Sequence, residues 1–339
     1  MNNFNYYKAT DGMGAIQKVA SGRKVDFIAG GTNLLDLWKY DLTDFESLVD
    51  INALGELKSI GENENGGIVL GALVTNADTA YHPLVEKRYP ILSKAILAGA
   101  SAQIRNSATN GGNLLQRTRC HYFYDADLPC NKRVPGSGCP AIQGHNRMHA
   151  ILGHSNSCIA VFPSDMCVAL SVLDAVVHVS GAVGERSIPF GEFHRLPGTS
   201  PHLDNTLGKN ELITGISLPK EGFADNYAYL KLRDRHSYAF ALVSVATVLK
   251  MEGDRIQEIR ISLGGVAHKP WRVKDAELYL RDKRPTEENF GYAATLILEG
   301  SKGFVHNDFK IDLAKRAIVR NCLMALKPES QRPGAQPSL

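Results

Sequence analysis

Four cysteines stand between Cys120 and Cys158, spaced ten, nine and nineteen positions apart, in CHYFYDADLPCNKRVPGSGCPAIQGHNRMHAILGHSNSC. Four thiols in one stretch can form two disulfides, hold zinc, or ligate an iron–sulfur cluster. Zinc knuckles carry two cysteines a few residues apart, and no such pair occurs here. Disulfides allow three connectivities and need an oxidising compartment. A four-cysteine iron–sulfur centre needs only that the thiolates converge, so wide spacing suits a loop that wraps the cluster. Pro129, Pro135, Gly136, Gly138, Pro140 and Gly144 break regular structure and permit such wrapping. Arg117, Arg119, Lys132, Arg133 and Arg147 outweigh Asp125 and Asp127, a cationic setting that suits an anionic cluster. On these residues alone, cluster and disulfides both stay open. His121, His145, His149 and His154 read as loop histidines rather than ligands. Cys167 and Cys322 sit in apolar, helix-like contexts and read as small buried hydrophobes.

A second chemistry is suggested by two similar glycine turns, GGTNLL at Gly30–Leu35 and GGNLL at Gly111–Leu115. Paired glycines let the backbone approach a ligand closely. Thr32 and Asn33 add donors, and a helix start after them favours negative charge. Two such turns can converge on one pyrophosphate. A single copy would read as a plain strand–helix turn with Asn33 as the helix N-cap; the repetition favours a ligand. Neither turn is a G-x-G-x-x-G fingerprint or a Walker A loop.

The elements that must position these groups follow from periodicity. In the first half, GAIQKVAS and NLLDLWKYDL have helical spacing, while VDFIAG, SLVDI, LKSIG and GIVLGALV read as short strands. NADTAYHPLVEKRYPILSKAILAGAS reads as helix, with Asn76 as N-cap and breaks at Pro83 and Pro90. From Leu115 to about Ser157 periodicity disappears, and loops of that length are normally functional or disordered. CIAVFPSDMCVALSVLDAVVHVSG predicts a helix then a strand, and ELITGISLP another strand. Beyond Glu221–Asp225, AYLKLR and RIQEIRISLGGVA read as strands. AFALVSVATVLKM fits a buried strand or a helix equally. Helices are expected around 272–283, 286–300 and 311–326.

Bulk properties exclude several classes. The 339 residues suffice for two domains, and 44% hydrophobic residues exclude a disordered chain. A net charge of +3 gives no reason to expect nucleic acid or an anionic membrane surface. No apolar run reaches the length of a membrane span, and MNNFNYYKAT lacks the regions of a signal peptide.

FIAGGTNLLDLWK resembles the first flavin loop of the molybdenum hydroxylase flavoprotein family, the FAD subunits of xanthine dehydrogenases, carbon monoxide dehydrogenases and aldehyde oxidoreductases. RNSATNGGNLLQ resembles its second flavin loop and FPSDMCVALSVLDA its third FAD segment. YLKLRDRHSYAFALVSVA and ISLGGVAHKP resemble its C-terminal domain. The likeness runs in order over about residues 4–326. It implies an α+β chain: a two-lobed FAD-binding domain of the vanillyl-alcohol-oxidase type, then a carbon-monoxide-dehydrogenase-flavoprotein-like α+β domain. The expected boundaries are 1–222 (lobes about 1–56 and 57–222, cysteine-rich loop at 116–160), 223–327, and a disordered tail at 328–339.

By the same resemblance, the FAD pyrophosphate belongs to the first loop, formed by Asp26, Phe27, Ile28, Ala29, Gly30, Gly31, Thr32, Asn33 and Leu34. Ser107, Thr109, Gly112 and Asn113 belong to the second loop. Asp165 is expected beside ribityl or ring polar groups, Ile213 beside the ring by its backbone, and Lys231 near the flavin as a cation that stabilises its reduced, anionic form. Read without the family, Asp165 is a helix N-terminal acid after Ser164 and Lys231 a solvated strand-edge lysine. The xanthine dehydrogenase branch places an aromatic residue where this chain has Gly99, so the resemblance does not by itself imply that branch's ring stacking or NAD site.

Most members of the family lack the cysteine insertion. It is similar to that of the aldehyde oxidoreductase branch, which implies a [4Fe–4S] cluster on Cys120, Cys130, Cys139 and Cys158. The implied function is an electron-transfer subunit within a heterotrimer. A large molybdenum-cofactor subunit oxidises aldehydes to carboxylic acids, a small subunit with two [2Fe–2S] clusters relays electrons, and FAD hands them to an external acceptor. The relatives imply the periplasm, reached folded on a partner's signal; without such a partner the chain would stay cytoplasmic. A stand-alone flavin oxidoreductase with a zinc- or disulfide-stapled loop is the competing expectation.

Overall fold

Three short strands form a parallel sheet at the start of the chain, in a computed structural model that describes residues 3–331. Strands β1 (Asn5–Lys8), β2 (Val25–Ile28) and β3 (Ser47–Asp50) pair in the order β1-β3-β2. Parallel neighbours need crossovers, and helices Gly12–Ala20 and Leu34–Lys39 supply them. The first is capped by Asp11, whose carboxylate accepts from Gly14 N at 2.7 Å. It buries Ala15, Ile16 and Val19 against Val25 and Val49.

A five-stranded antiparallel sheet follows, in the order β4-β5-β8-β6-β7. Its strands are β4 (Ile60–Glu62), β5 (Ile68–Gly71), β6 (Val176–Gly181), β7 (Gly184–Pro189) and β8 (Leu212–Leu218). The helical run at 76–98 divides into Asn76–Ala80, Pro83–Arg88 and Pro90–Ala98, each proline opening a new helix. The cap of the first is Thr75, not Asn76: Thr75 Oγ1 accepts from Asp78 N at 3.0 Å, and Asn76 is buried. Pro90–Ala98 and Asp165–Val172 share a core with β5, β6 and β8.

The third sheet, β12-β11-β10-β9, is antiparallel: β9 (Tyr227–Leu232), β10 (Val243–Glu252), β11 (Arg255–Gly264) and β12 (Trp271–Arg272). The ambiguous AFALVSVATVLKM contains β10. Its two faces serve two cores: Ala246 and Val248 join the core of the preceding sheet, whereas Val243, Val245 and Leu249 meet helices Glu287–Ile297 and Phe309–Ala325. A strand buried on both faces reads as a continuous apolar run, which explains the ambiguity. The same alternation on β9 sends Ala228 and Leu230 to the C-terminal core, and Tyr229 to the other side.

The patternless stretch is folded without regular structure, apart from His121–Tyr124 and a 3₁₀ turn at Pro140–Ile142. Side-chain-to-backbone hydrogen bonds replace ladders there. Asn131 Nδ2 donates to Ser157 O at 2.8 Å, and Lys132 Nζ to Pro201 O at 2.8 Å. Asn307 Nδ2 donates to His149 O and Ala150 O, both at 3.2 Å. Of the tail expected to be disordered, Pro328–Ser330 forms a 3₁₀ turn and Gln331 Nε2 donates to Tyr227 O at 2.6 Å. The remainder of that expectation lies outside the described residues. Among the described residues no helix is long and apolar enough to cross a membrane.

Candidate functional site

The two glycine turns meet. A Cβ on Gly30 would lie 1.9 Å from Ser107 O, so only glycine allows the first turn to pass this close to the second. Gly31 adopts φ +68°. Ser107 Oγ donates to Gly30 O at 3.1 Å, bracing the contact from outside the cavity. Between the turns lies a cavity of about 370 Å³, lined by Asp26 to Leu34 without a gap, by Thr109 and Gly112, and by Ile213. That volume is in the range of cofactor and ligand sites. Thr32, Asn33 and Gly112 also line an adjoining space with Asn113, Asp165 and Lys231. Fifteen of the sixteen expected flavin residues therefore line two contiguous spaces, and Ser107 supports them.

Asn33 does not cap the helix that follows it. Its Oδ1 accepts from Arg117 N at 2.8 Å, tying the first turn to the start of the cysteine loop. Its Nδ2 is buried without a partner among the described residues. An orphaned donor beside a glycine cradle fits an anionic oxygen. The helices behind the turns, Leu34–Lys39 and Asn110–Leu114, are short. Backbone N–H groups and Asn33, rather than a helix dipole, are then the donors this cradle presents. The second turn is capped by Thr109, whose Oγ1 accepts from Gly112 N at 3.2 Å. Burial pushes the Asp26 carboxyl above its usual range, with Lys209 opposing.

Asp165 and Lys231 form a buried pair. Lys231 Nζ lies 2.8 Å from Asp165 Oδ2, their side chains 2% and 9% exposed, and it also donates to Ala98 O at 3.0 Å. Lys231 is thus not a solvated strand-edge lysine. The alternation of β9 carries it inward on the same side as Tyr229, whose hydroxyl donates to Asp165 Oδ1 at 2.5 Å. Asp165 does open its helix, but Ser164 supplies the cap, Oγ accepting from Cys167 N at 3.1 Å.

A polar network unforeseen in the sequence steadies the second turn. Asn113 Nδ2 donates to Asn76 Oδ1 at 2.7 Å, Ser164 Oγ to Asn113 Oδ1 at 2.6 Å, and Asn76 Nδ2 to Asn110 Oδ1 at 3.3 Å. Its only sequence signal was a run of asparagines near small residues. Gly99 is also part of the site: a Cβ there would sit 2.9 Å from Asp165 Oδ2.

All six cysteines are free thiols, and Cys167 and Cys322 are fully buried as expected. Cys120 Sγ is 3.1 Å from His149 Nε2. Burial, reinforced by Cys130 and Cys139, pushes the Cys120 thiol up to about 12. Cys139 and Cys158 act on each other, Cys158 drawing the Cys139 thiol below its usual range while Cys139 and burial raise Cys158. Cys167 and Cys322 lie apart from the four loop cysteines, each packed in a different hydrophobic core. Among the described residues no three His, Cys, Asp or Glu side chains converge as they would on a single metal ion. Cys120 and Asp165 line a shared cavity of about 520 Å³, so the loop abuts the flavin-side pair.

Fold and site together define a flavin-binding protein built on two glycine turns with a C-terminal α+β unit. Residues 2–221 match the FAD-binding domain in molybdopterin dehydrogenase and residues 227–324 the CO dehydrogenase flavoprotein C-terminal domain, and the chain belongs to that family. It is 48% identical over 293 residues to the aldehyde oxidoreductase FAD-binding subunit PaoB of Escherichia coli K12, covering 86% of this chain and 88% of that one. The glyceraldehyde dehydrogenase medium chain of Sulfolobus acidocaldarius is 27% identical, covering 84% and 83%. Among solved structures, quinoline 2-oxidoreductase from Pseudomonas putida 86 aligns with a TM-score of 0.74 at 25% identity, over 97% of this chain and 99% of that one.

Proposed function

We propose that this chain is the FAD- and [4Fe–4S]-carrying electron-transfer subunit of a heterotrimeric, molybdenum-dependent aldehyde oxidoreductase. Its partners are a large molybdenum-cofactor subunit, which oxidises the aldehyde, and a small subunit with two [2Fe–2S] clusters; electrons leave to an external acceptor. The observation that carries the flavin assignment is the orphaned Asn33 Nδ2 inside the cradle made by Gly30, Gly31 and Gly112. The name of the 48% identical relative supports the aldehyde class. FAD, when bound, supplies the capacity to take up electrons from one-electron carriers and release them to a different acceptor.

This chain's residues bind and orient. The two turns offer backbone N–H groups and Asn33 to the pyrophosphate. The Asp165–Lys231 pair, buried on the cavity wall, sets a fixed dipole beside the ribityl and ring positions. In this reading the aldehyde chemistry belongs to the molybdenum-cofactor partner.

The cluster reading rests on donor chemistry. Four free thiols lie on one wrapped loop, with Arg119, Lys132, Arg133 and Arg147 in the same stretch of chain. A cluster asks thiolates to surround a body with volume rather than meet at one point, which is why a single-ion shell is not the relevant test. Export folded to the periplasm on a partner's signal is part of the same proposal. The experiment is purification of the chain alone and with its partners. Aldehyde should bleach the flavin absorbance only in the complex; aldehyde turnover by the isolated chain would overturn the assignment.

A further inference from the structure

Three cations line the space beside the second glycine turn: Arg105, Arg119 and Lys231, with Asp165 between the walls. Two of the three already have a carboxylate. Lys231 Nζ meets Asp165 Oδ2 at 2.8 Å, and Arg119 Nη1 meets Asp36 Oδ2 at 3.0 Å. Arg105 is 8% exposed and is held by backbone carbonyls alone among the described residues. Its Nη1 donates to Gly99 O at 2.6 Å and to Ala100 O at 3.3 Å, and reaches Leu97 O at 3.5 Å.

Those carbonyls close helix Pro90–Ala98. The same turn is gripped from the other side, for Lys231 Nζ donates to Ala98 O at 3.0 Å. Gly99 and Ala100 line the space with Arg105. Ala100 adopts φ +52°, a region that disfavours any side chain. A Cβ on Gly99 would sit 2.9 Å from Asp165 Oδ2, so the gripped turn lies directly against the carboxylate.

A cation at a helix C-terminus is favoured by the helix dipole, which accounts for the hydrogen bonds of Arg105. It does not cancel the charge, because a carbonyl carries only a partial negative charge where a carboxylate carries a full one. Charges in a buried setting are little screened by salt. Of the cations on this wall, Arg105 is therefore the one whose field is left over.

Resting on the reading that this space receives the flavin ring, we propose that Arg105 is the cation that favours reduced, anionic flavin. Lys231, to which the family resemblance gives that role, is matched by Asp165 and contributes a dipole with it. Uptake of two electrons and one proton adds one negative charge to the ring, and a fixed positive charge on the wall stabilises that state over the oxidised one.

The test uses the complex with its partners as native protein, Arg105→Gln and Arg105→Lys, and reads flavin content and the flavin midpoint potential by reductive titration against a reference dye. Glutamine keeps a donor for the carbonyls and loses the charge, whereas lysine keeps the charge. Arg105→Gln should lower the potential by about 30 mV or more, a tenfold shift for a two-electron couple. Arg105→Lys should stay close to native. Where the glutamine variant does not retain flavin, Lys231→Met combined with Asp165→Asn supplies the second arm. That change removes a matched pair, and the potential should move by less than the tenfold shift. A native potential in flavin-loaded Arg105→Gln would overturn the proposal and leave Arg105 as a clamp on the turn. A fall of tenfold or more in the double variant would overturn it by returning the charge to Lys231. A native complex without FAD would instead overturn the flavin reading, and the flavin content tells the two failures apart.

Discussion

Lys231 Nζ sits 2.8 Å from Asp165 Oδ2, joining β9 of the C-terminal sheet to a helix that packs on the preceding one. Neither residue is near the other in sequence, yet both line the space beside the second glycine turn. Removing one partner of a buried pair leaves an uncompensated charge, at a cost of about 3–5 kcal/mol. Lys231→Met should lower stability by that order and reduce FAD retention, and adding Asp165→Asn should recover part of the loss through coupling. Thermal unfolding with flavin absorbance per protein measures both; additive effects of the two changes would contradict the pair's role.

Gly30→Ala should be more damaging to flavin than its size suggests. The added methyl would meet the Ser107 carbonyl oxygen at 1.9 Å, a backbone atom that cannot rotate away. The turns would have to part, widening the pyrophosphate cradle. The expected outcome is purification with little bound FAD; full flavin occupancy would show that the contact between the turns is dispensable.

His194 makes stability depend on acid. Its ring is buried among Phe162, Phe190 and Phe193, and Nε2 donates to Leu114 O at 2.9 Å, anchoring the end of the second turn. Burial depresses the ring to about 4, with the Leu114 carbonyl and Asp204 opposing and Lys269 adding to the fall. The unfolded chain takes up this proton as pH falls through about 6.5, whereas the folded chain resists until about 4. The stabilisation is therefore complete above about pH 6.5 and is lost toward pH 4, about 3 kcal/mol for this one group. Denaturant unfolding across that range should show a shallower pH slope in His194→Gln than in the native chain.

Much of this arrangement was readable in the residues, and the exceptions share a cause. The strand–turn–helix around GGTNLL, the loss of pattern after Leu115 and the separation of Cys167 and Cys322 from the other four all follow from local spacing and composition. Taken alone, the first turn reads Asn33 as a cap, because its true partner, Arg117 N, is remote in the chain. Asn76 was misread for the same reason, its partners being Asn110 and Asn113. Lys231 could not be placed until β9 had a second covered face. Local periodicity reports which side of an element is buried, but not which distant polar atom will meet it there.

The cysteines should divide by substitution. Alanine at Cys130 or Cys139 should lower the iron content of the complex, whereas Cys322→Ala should not. Cys322 is fully buried in the C-terminal core, its sulfur 3.8 Å from Thr247 Oγ1, so its loss should register only as reduced stability, about 1 kcal/mol for the volume removed. Equal iron in all three variants would remove the loop cysteines as ligands.

The central claim is that one chain holds both FAD and an iron–sulfur cluster. Flavin, iron, sulfide and zinc analysis of the purified complex tests it most directly. The account predicts one FAD and four irons with four sulfides per copy of this chain, beyond those of the small subunit. Zinc in place of iron, or no metal with the loop thiols oxidised in pairs, would contradict it.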